Sequence, residues 1–410
     1  MPRVLLLLPT TSYRIPDFLS AAARLGVDVT VASEEPSTLE GLNPAGLLTL
    51  DFGDPRSSAE RAAEFAREHP FGAVVGVDER TAVVAAAIAE RLGLPHDPIE
   101  AVAAAGNKAM LRDRLARGGV RSPAHRLFHV GDDPIAAAGA VRFPCVLKPT
   151  FLAASRGVIR ADDAASFVAA WRRIARILEA PEVAARGASA AREILVEDFV
   201  PGLEVALEGL LTRGQLRVLA LFDKPDPLDG PFFEETIYVT PSRLPGDLQE
   251  RCAAAALEGA RGLGLRHGPI HAEMRVNGDG VWIIEVAARS IGGLCSRTLR
   301  FGTGMSLEEL ILAHALGLDA RRDERETAAA GVMMIPIPCG GILQEVRGLD
   351  AARAIPGIAD VTISAHVGQR IVPLPEGDRY LGFVFSRAET PERAEAALRE
   401  AHARLEFRIG

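Results

Sequence analysis

HAEMRVNGDGVWIIEVAARSIGG, residues 271 to 293, places two glutamates on either side of a glycine-rich turn. Alternation through the first run sets Ile270, Ala272, Met274 and Val276 on one face of a strand and His271, Glu273 and Arg275 on the other. On the return strand Ile283, Glu285 and Ala287 share a face. With an odd number of loop residues, as in three- or five-residue hairpins that contain glycine, Glu273 and Glu285 stand opposite each other. Shifted by one residue, they point to opposite faces as solvated charges. Carboxylates about 5 Å apart across two strands repel unless something neutralises them. A hard divalent cation is the natural partner: Mg2+ takes one or two carboxylates together with phosphate oxygens and water, and Mn2+ is the alternative. Arg289, followed by Gly292 and Gly293, adds a cationic fork and bare backbone N–H groups, the materials for holding a transferring phosphoryl group and an oxyanion. The competing reading is an ordinary surface arginine beside a flexible loop.

Composition narrows the setting. The chain has 410 residues, enough for two to four domains, with 48% hydrophobic and 24% charged residues, an ordinary globular balance. Its first apolar run, Val4 to Pro9, is far shorter than the ~20 residues of a membrane span and reads as a buried first strand. No cleavage pattern follows it, so a cytoplasmic location is the default expectation, with no membrane partner. A net charge of -8 argues against a general nucleic-acid binder. Cys145, Cys252, Cys295 and Cys339 are scattered, which suggests buried thiols rather than a disulfide framework or a zinc site. Of the 46 basic residues only Lys108, Lys148 and Lys224 are lysines. Lysine is a compact point charge where arginine is a planar fork, so these exceptions are candidates for phosphate contacts in a tight cleft.

Outward from the hairpin, the first hundred residues alternate strand and helix: VLLLL, a helix near Pro16 to Leu25, strand Val27 to Ala32, helix Ser58 to Arg67, strand Ala73 to Val77 and helix Thr81 to Leu92. That pattern predicts a parallel sheet covered by helices. Neither GxGxxG after the first strand nor a Gly-Lys pair is present, which excludes the dinucleotide fingerprint and the Walker P-loop. A second unit starts near Pro98 with a helix over Lys108 to Arg117. Ile194 to Val200 begins a third, strand-rich unit, and the stretch from Gly331 reads as short strands ending in a charged helix over Pro391 to Leu405. The expected domains are 1–97, 98–192, 193–328 and 329–410.

Lys108, the VLKP strand with Lys148, the run VEDFVPGLEVALEG over 196–209 and the paired HAEMR and IIEVAARSIGG resemble the ATP-grasp superfamily, in order and spacing, over roughly residues 98 to 316. DKPDPLDGPFFEETIYVTPS and the ending EVAAR look like the L-amino acid ligases that make dipeptides. The resemblance implies an α/β and α+β multidomain fold: an N-terminal parallel pre-ATP-grasp domain, a two-lobed ATP-grasp fold and a C-terminal mixed unit. It implies ATP and Mg2+ as cofactors and amino acids as small-molecule substrates, and leaves a homodimer open. Lys108, Lys148 and Lys224 would contact the nucleotide phosphates. Glu197 to Val200, with Phe199, would receive the adenine, and Glu204 would hold the ribose. The loop Ala153 to Val158 would close over the phosphates, with Ser155, Arg156 and Gly157 offering a hydroxyl, a cation and a bare amide. Glu235 would take a substrate amino group, His271 and Arg289 would face the substrate, and Glu273 and Glu285 would hold the metal. Ala287 departs from the many relatives that carry a metal-binding asparagine there, which leaves the number of metals open. The rival expectations are an ATP-grasp enzyme acting on a nucleotide precursor or bicarbonate, and a nucleotide-binding regulator without catalysis.

Overall fold

In the computed structural model, which describes residues 2–302, 304–318 and 325–410, the strands Arg3–Leu7, Asp28–Ser33, Leu47–Thr49 and Ala73–Gly76 form a parallel sheet. Arg3–Leu7 lies inside it, between Asp28–Ser33 and Ala73–Gly76. Val4 through Leu7 are fully buried, as expected of a parallel strand covered on both faces. Helix Glu79–Leu92 follows the fourth strand and starts in a capping box between Asp78 and Thr81. Gly76 is required by this turn, because a Cβ there would lie 2.5 Å from the Thr81 backbone.

Helices Ile99–Ala105 and Lys108–Arg117 lead into an antiparallel sheet ordered His125–His129, Glu193–Asp198, Cys145–Pro149, Ile159–Ala161. Helix Ala164–Glu179 packs Phe167, Trp171, Ile174 and Leu178 into the core beneath it. Glu193–Asp198 is therefore an inner strand of this second unit and not the start of the third. Alternation identified it as a strand, but only its partners reveal which sheet it joins. The chain crosses to the next sheet after Asp198, through Phe199 to Gly202.

That next sheet has eight strands, ordered Gly280–Ala287, Gly268–Asn277, Leu203–Thr212, Gln215–Asp223, Ile237–Thr240, Ala329–Ile335, Gly382–Ala388, Ile358–Ile363, with every neighbouring pair antiparallel. The boundary expected at 328 thus falls within one continuous sheet: Ile237–Thr240 pairs with Ala329–Ile335. One face carries Ile270, Ala272, Met274 and Val276 and is covered by helix Gly246–Leu263. The other carries Ala206, Phe222, Tyr238, Val332 and Phe383 and packs towards the N-terminal unit. The helix Pro391–His402 is not the end of the chain; the strand Glu406–Ile409 follows and pairs with Gly341–Arg347, a run too short to stand out by periodicity. Cys145, Cys252 and Cys295 are buried, but Cys339 is exposed in a loop, contrary to expectation. Among the described residues no helix is long and apolar enough to cross a membrane.

Candidate active site

Glu273 and Glu285 are direct cross-strand partners. The route to that register differs from the expected odd-numbered loop. Asn277 pairs with Gly280, so the turn holds only Gly278 and Asp279, and the register holds as far as Met274 with Ile283. Ile284 is then an extra residue, a β-bulge that advances the return strand by one and brings Glu285 opposite Glu273. The bulge is tied down: the fully buried Arg112 donates to the Ile284 carbonyl at 2.6 Å, and the Ile283 N–H donates to the Arg121 carbonyl at 2.9 Å. Both carboxylates face a cavity of ≈ 380 Å³.

Lys108 and Lys148 lie on the wall of the same cavity. Lys108 opens its helix, capped by Asn107, and its Nζ donates to the Leu152 carbonyl at 2.8 Å while lying 3.6 Å from Glu285 Oε2. Lys148 Nζ is 2.7 Å from Glu197 Oε2, and Arg112 Nε is 2.8 Å from Glu197 Oε1. Burial by itself would raise the Glu197 carboxyl, but Arg112 and Lys148 hold it down at about 2. Because the folded value lies below the unfolded one, the stability this carboxylate supplies is complete above about pH 4.5 and disappears as pH falls through about 2. That amounts to about 3 kcal/mol. Urea midpoints measured from pH 5 downward should fall less steeply in Glu197→Gln than in the wild type, from a lower starting stability.

A third charged cluster lies at the floor. Lys224 Nζ is 2.8 Å from Glu204 Oε1 and 3.4 Å from Glu273 Oε1, and it also bonds Glu235. The carboxylates of Glu204, Glu235 and Glu273 lie within 4.8 Å of one another, a set that could also receive a cation. Burial opposes the charge on Lys224, but the surrounding carboxylates raise its pKa well above the ordinary lysine range. Glu235 is pushed up to about 7, by burial first, even though Lys224 and the Tyr238 hydroxyl at 2.9 Å are its partners. Arg275 braces this corner, its Nε 2.9 Å from Glu204 Oε2 and its Nη1 2.8 Å from the Val200 carbonyl. On the other side of Glu273, His271 links it at 3.3 Å to the fully buried Glu208 at 2.6 Å. Burial lowers the imidazole pKa, but the two carboxylates carry it to about 9.

Paired glutamates, two lysines and an arginine thus face one cleft between an antiparallel lobe and a second sheet. A model of the ATP-grasp domain matches residues 141–298, one of the ATP-grasp N-terminal domain matches 19–96, and one of the L-amino acid ligase C-terminal domain 2 matches 333–410. Along its whole length the chain superposes on the L-amino acid ligase from Bacillus licheniformis with a TM-score of 0.84 and 25% identity, covering 99% of that chain. The chain belongs to the ATP-grasp ligase family. It is also similar to carnosine synthase 1 of Gallus gallus, 28% identical over 80% of this chain and 38% of that protein. Alanine–anticapsin ligase of Bacillus subtilis is 27% identical over 54% of this chain and 49% of that protein. The chain thus spans less than half the length of these two curated relatives.

Within the ATP-grasp framework most of the residues singled out from sequence converge. Lys108, Lys148, Ser155, Glu197, Phe199, Val200, Glu204, Glu235, His271, Glu273, Glu285, Arg289, Gly292 and Gly293 all border the cavity. Three do not. Lys224 is enclosed beneath the wall by its carboxylates. Arg156 turns away, with Glu182 and Asp378 each 3.6 Å from its guanidinium. Gly157 is not a free amide, because its N–H donates to the Pro375 carbonyl at 2.8 Å. Ala154 and Ser155 both adopt left-handed backbone conformations, φ 53° and 54°, a strained pair in the loop that borders the cleft. Gly292 has open space where a side chain would go, so a substrate can approach its backbone.

The residues missed from sequence are Arg14, Glu79, Arg112, Glu208 and, as a brace, Arg275. Arg14 and Glu79 follow the carboxyl ends of two parallel strands, the crevice where ligands bind in open α/β sheets, and that rule could have flagged them. Arg112 lies four residues after Lys108 on one helix, a spacing that shares a face.

Proposed function

We propose that the chain is an ATP- and Mg2+-dependent carboxylate–amine ligase that joins two amino acids through an acyl phosphate, releasing ADP and phosphate. What supports the reading most is the convergence of Glu273 and Glu285 with Lys108, Lys148 and Arg289 on one cavity. Two facing carboxylates are the donor set that hexacoordinate Mg2+ accepts, and the ion would supply neutralisation of the phosphate oxygens. Lys148, held in place by Glu197, and Lys108, at the start of its helix, would bind the phosphate chain. Phe199 and Val200, at the crossing between lobes, would take the adenine, and Glu204 the ribose hydroxyls.

A substrate carboxylate attacks the γ-phosphorus in line, and Arg289 and the lysines balance the charge that spreads over the equatorial oxygens. The incoming amine then attacks the acyl carbon; as the tetrahedral oxyanion, stabilised by Arg289 and the Gly292–Gly293 amides, collapses, the C–O bond to phosphate breaks and the proton lost from nitrogen leaves with the phosphate. Glu235, beside Lys224 and Tyr238, would accept the ammonium of the carboxylate donor. The likeness to the L-amino acid ligase C-terminal domain over 333–410 favours amino acids over a nucleotide precursor or bicarbonate. Three buried, unpaired cysteines fit a reducing cytoplasm, where ATP and free amino acids are both supplied.

The test is a phosphate-release screen over pairs of amino acids with ATP and Mg2+. Release should need both an acceptor amine and a donor carboxylate, and the product should carry the mass of a dipeptide. Release supported by bicarbonate or a nucleotide precursor alone would overturn the reading in favour of a different ATP-grasp ligase.

A further inference from the structure

The residues assigned to nucleotide, metal and substrate all lie beyond position 98, yet two side chains from the N-terminal unit reach this machinery. Glu79 opens helix Glu79–Leu92, whose end is already satisfied: Asp78 Oδ1 accepts from the Thr81 N–H at 2.8 Å, and Thr81 Oγ1 accepts from the Asp78 N–H at 3.0 Å. The helix end therefore does not depend on the Glu79 carboxylate. That carboxylate turns to the cavity and accepts from Arg289 Nε at 2.8 Å and from Arg289 Nη2, across 210 residues of sequence. The next residue is held from the same unit, because Arg14 donates to Ser290 Oγ at 2.9 Å while pairing with the buried Glu308 at 3.1 Å.

Resting on the ligase reading, we propose that Glu79 is a positioning residue that sets the Arg289 fork against the reacting phosphoryl and acyl groups, so that the N-terminal unit is a working part of the catalytic centre. A guanidinium has five N–H donors. Glu79 engages Nε and Nη2, and the Ser290 carbonyl accepts from Nη1 at 3.0 Å. The fork is thereby fixed along one edge, and the remaining N–H groups of its terminal nitrogens stay available to an oxyanion. Glu79 is not the base that deprotonates the amine. Burial would raise its carboxyl, but Arg289 holds it at about 2, so it takes up no proton near neutral pH. Its contribution is geometric, and misplacing a transition-state group by an ångström costs about 10²-fold in rate.

The experiment is a double-mutant cycle on the full chain with an amino acid pair that the wild type turns over. Glu79→Ala should lower kcat by about 10²-fold and change KM for ATP by less than about three-fold, because the lost contact acts mainly in the transition state. Glu79→Gln, which keeps one acceptor oxygen, should recover part of the loss. In an Arg289→Lys background the same Glu79→Ala change should cost less than about three-fold. Equal penalties in both backgrounds would make Glu79 merely structural and overturn the inference. A second readout needs no turnover. The Arg289 Nε–H resonance, assigned by its absence in Arg289→Lys, should exchange with solvent at least about ten times faster in Glu79→Ala than in the wild type. Unchanged exchange overturns the inference whatever substrates the protein accepts. A failure of every amino acid pair in the screen tells against the dipeptide reading alone.

Discussion

Glu285→Ala should reduce ATP- and Mg2+-dependent phosphate release by roughly 10³-fold, about 4 kcal/mol of transition-state stabilisation, while the protein stays folded. The carboxylate lies on the cavity wall directly across from Glu273, and among the described residues its ion-pair partner is Lys108 at 3.6 Å. Removing it takes away half of the pair expected to grip the metal and also releases Lys108 towards the phosphate side. Neither change disturbs the hydrophobic face of the hairpin, where Ile283 and Val286 pack against helix Gly246–Leu263. Steady-state phosphate release at saturating ATP, with circular dichroism as a folding control, decides it. A rate within ten-fold of the wild type would remove Glu285 from the metal site.

Lys224→Met should cost about 3–5 kcal/mol of stability, the penalty for stripping the partner from buried charges. Glu204, Glu235 and Glu273 share that one ammonium; Glu204 has a second cation in Arg275, and Glu273 has one in the His271 imidazolium. Among the described residues Glu235 would keep only the Tyr238 hydroxyl. Already raised to about 7 by burial with Lys224 beside it, Glu235 should take up a proton in the variant across the neutral range. An acid whose folded pKa exceeds its unfolded value contributes stability below the unfolded value, and that contribution is lost as pH rises through the folded one. The penalty should therefore shrink towards pH 5 and grow towards pH 8, as read from urea midpoints. A midpoint equal to the wild type's at pH 8 would show that the three carboxylates do not depend on the lysine.

How far such a site can be read from sequence is clear at the hairpin. The facing glutamates were legible because glycine and asparagine mark the turn and polar residues alternate through the strand. The loop length expected to align them was wrong, since a two-residue turn and a bulge at Ile284 reach the same register. A period of two cannot reveal an extra residue; what fixes the bulge is Arg112, 172 residues away. Lysine scarcity pointed to the cleft for the same reason, as residue type carries charge geometry. Depth is another matter: Lys108 and Lys148 border the cavity while Lys224 lies beneath it. For Glu79 and Arg14 the local sequence offers only their place past the end of a parallel strand; their contacts could not be read from it, because the partners belong to another unit. The strand Glu193–Asp198 was recognised as a strand and assigned to the wrong sheet, because pairing is a tertiary fact.

The seam between Ile237–Thr240 and Ala329–Ile335 also limits how such chains can be recombined. A tail grafted from a relative would have to present a strand of matching register along Thr240 to Ile237, or leave a row of open amides to recruit a neighbouring molecule. The last fifth of the chain is thus woven into the sheet that bears the glutamates, and exchanging it to alter substrate choice would tug on the Glu273–Glu285 hairpin four strands away.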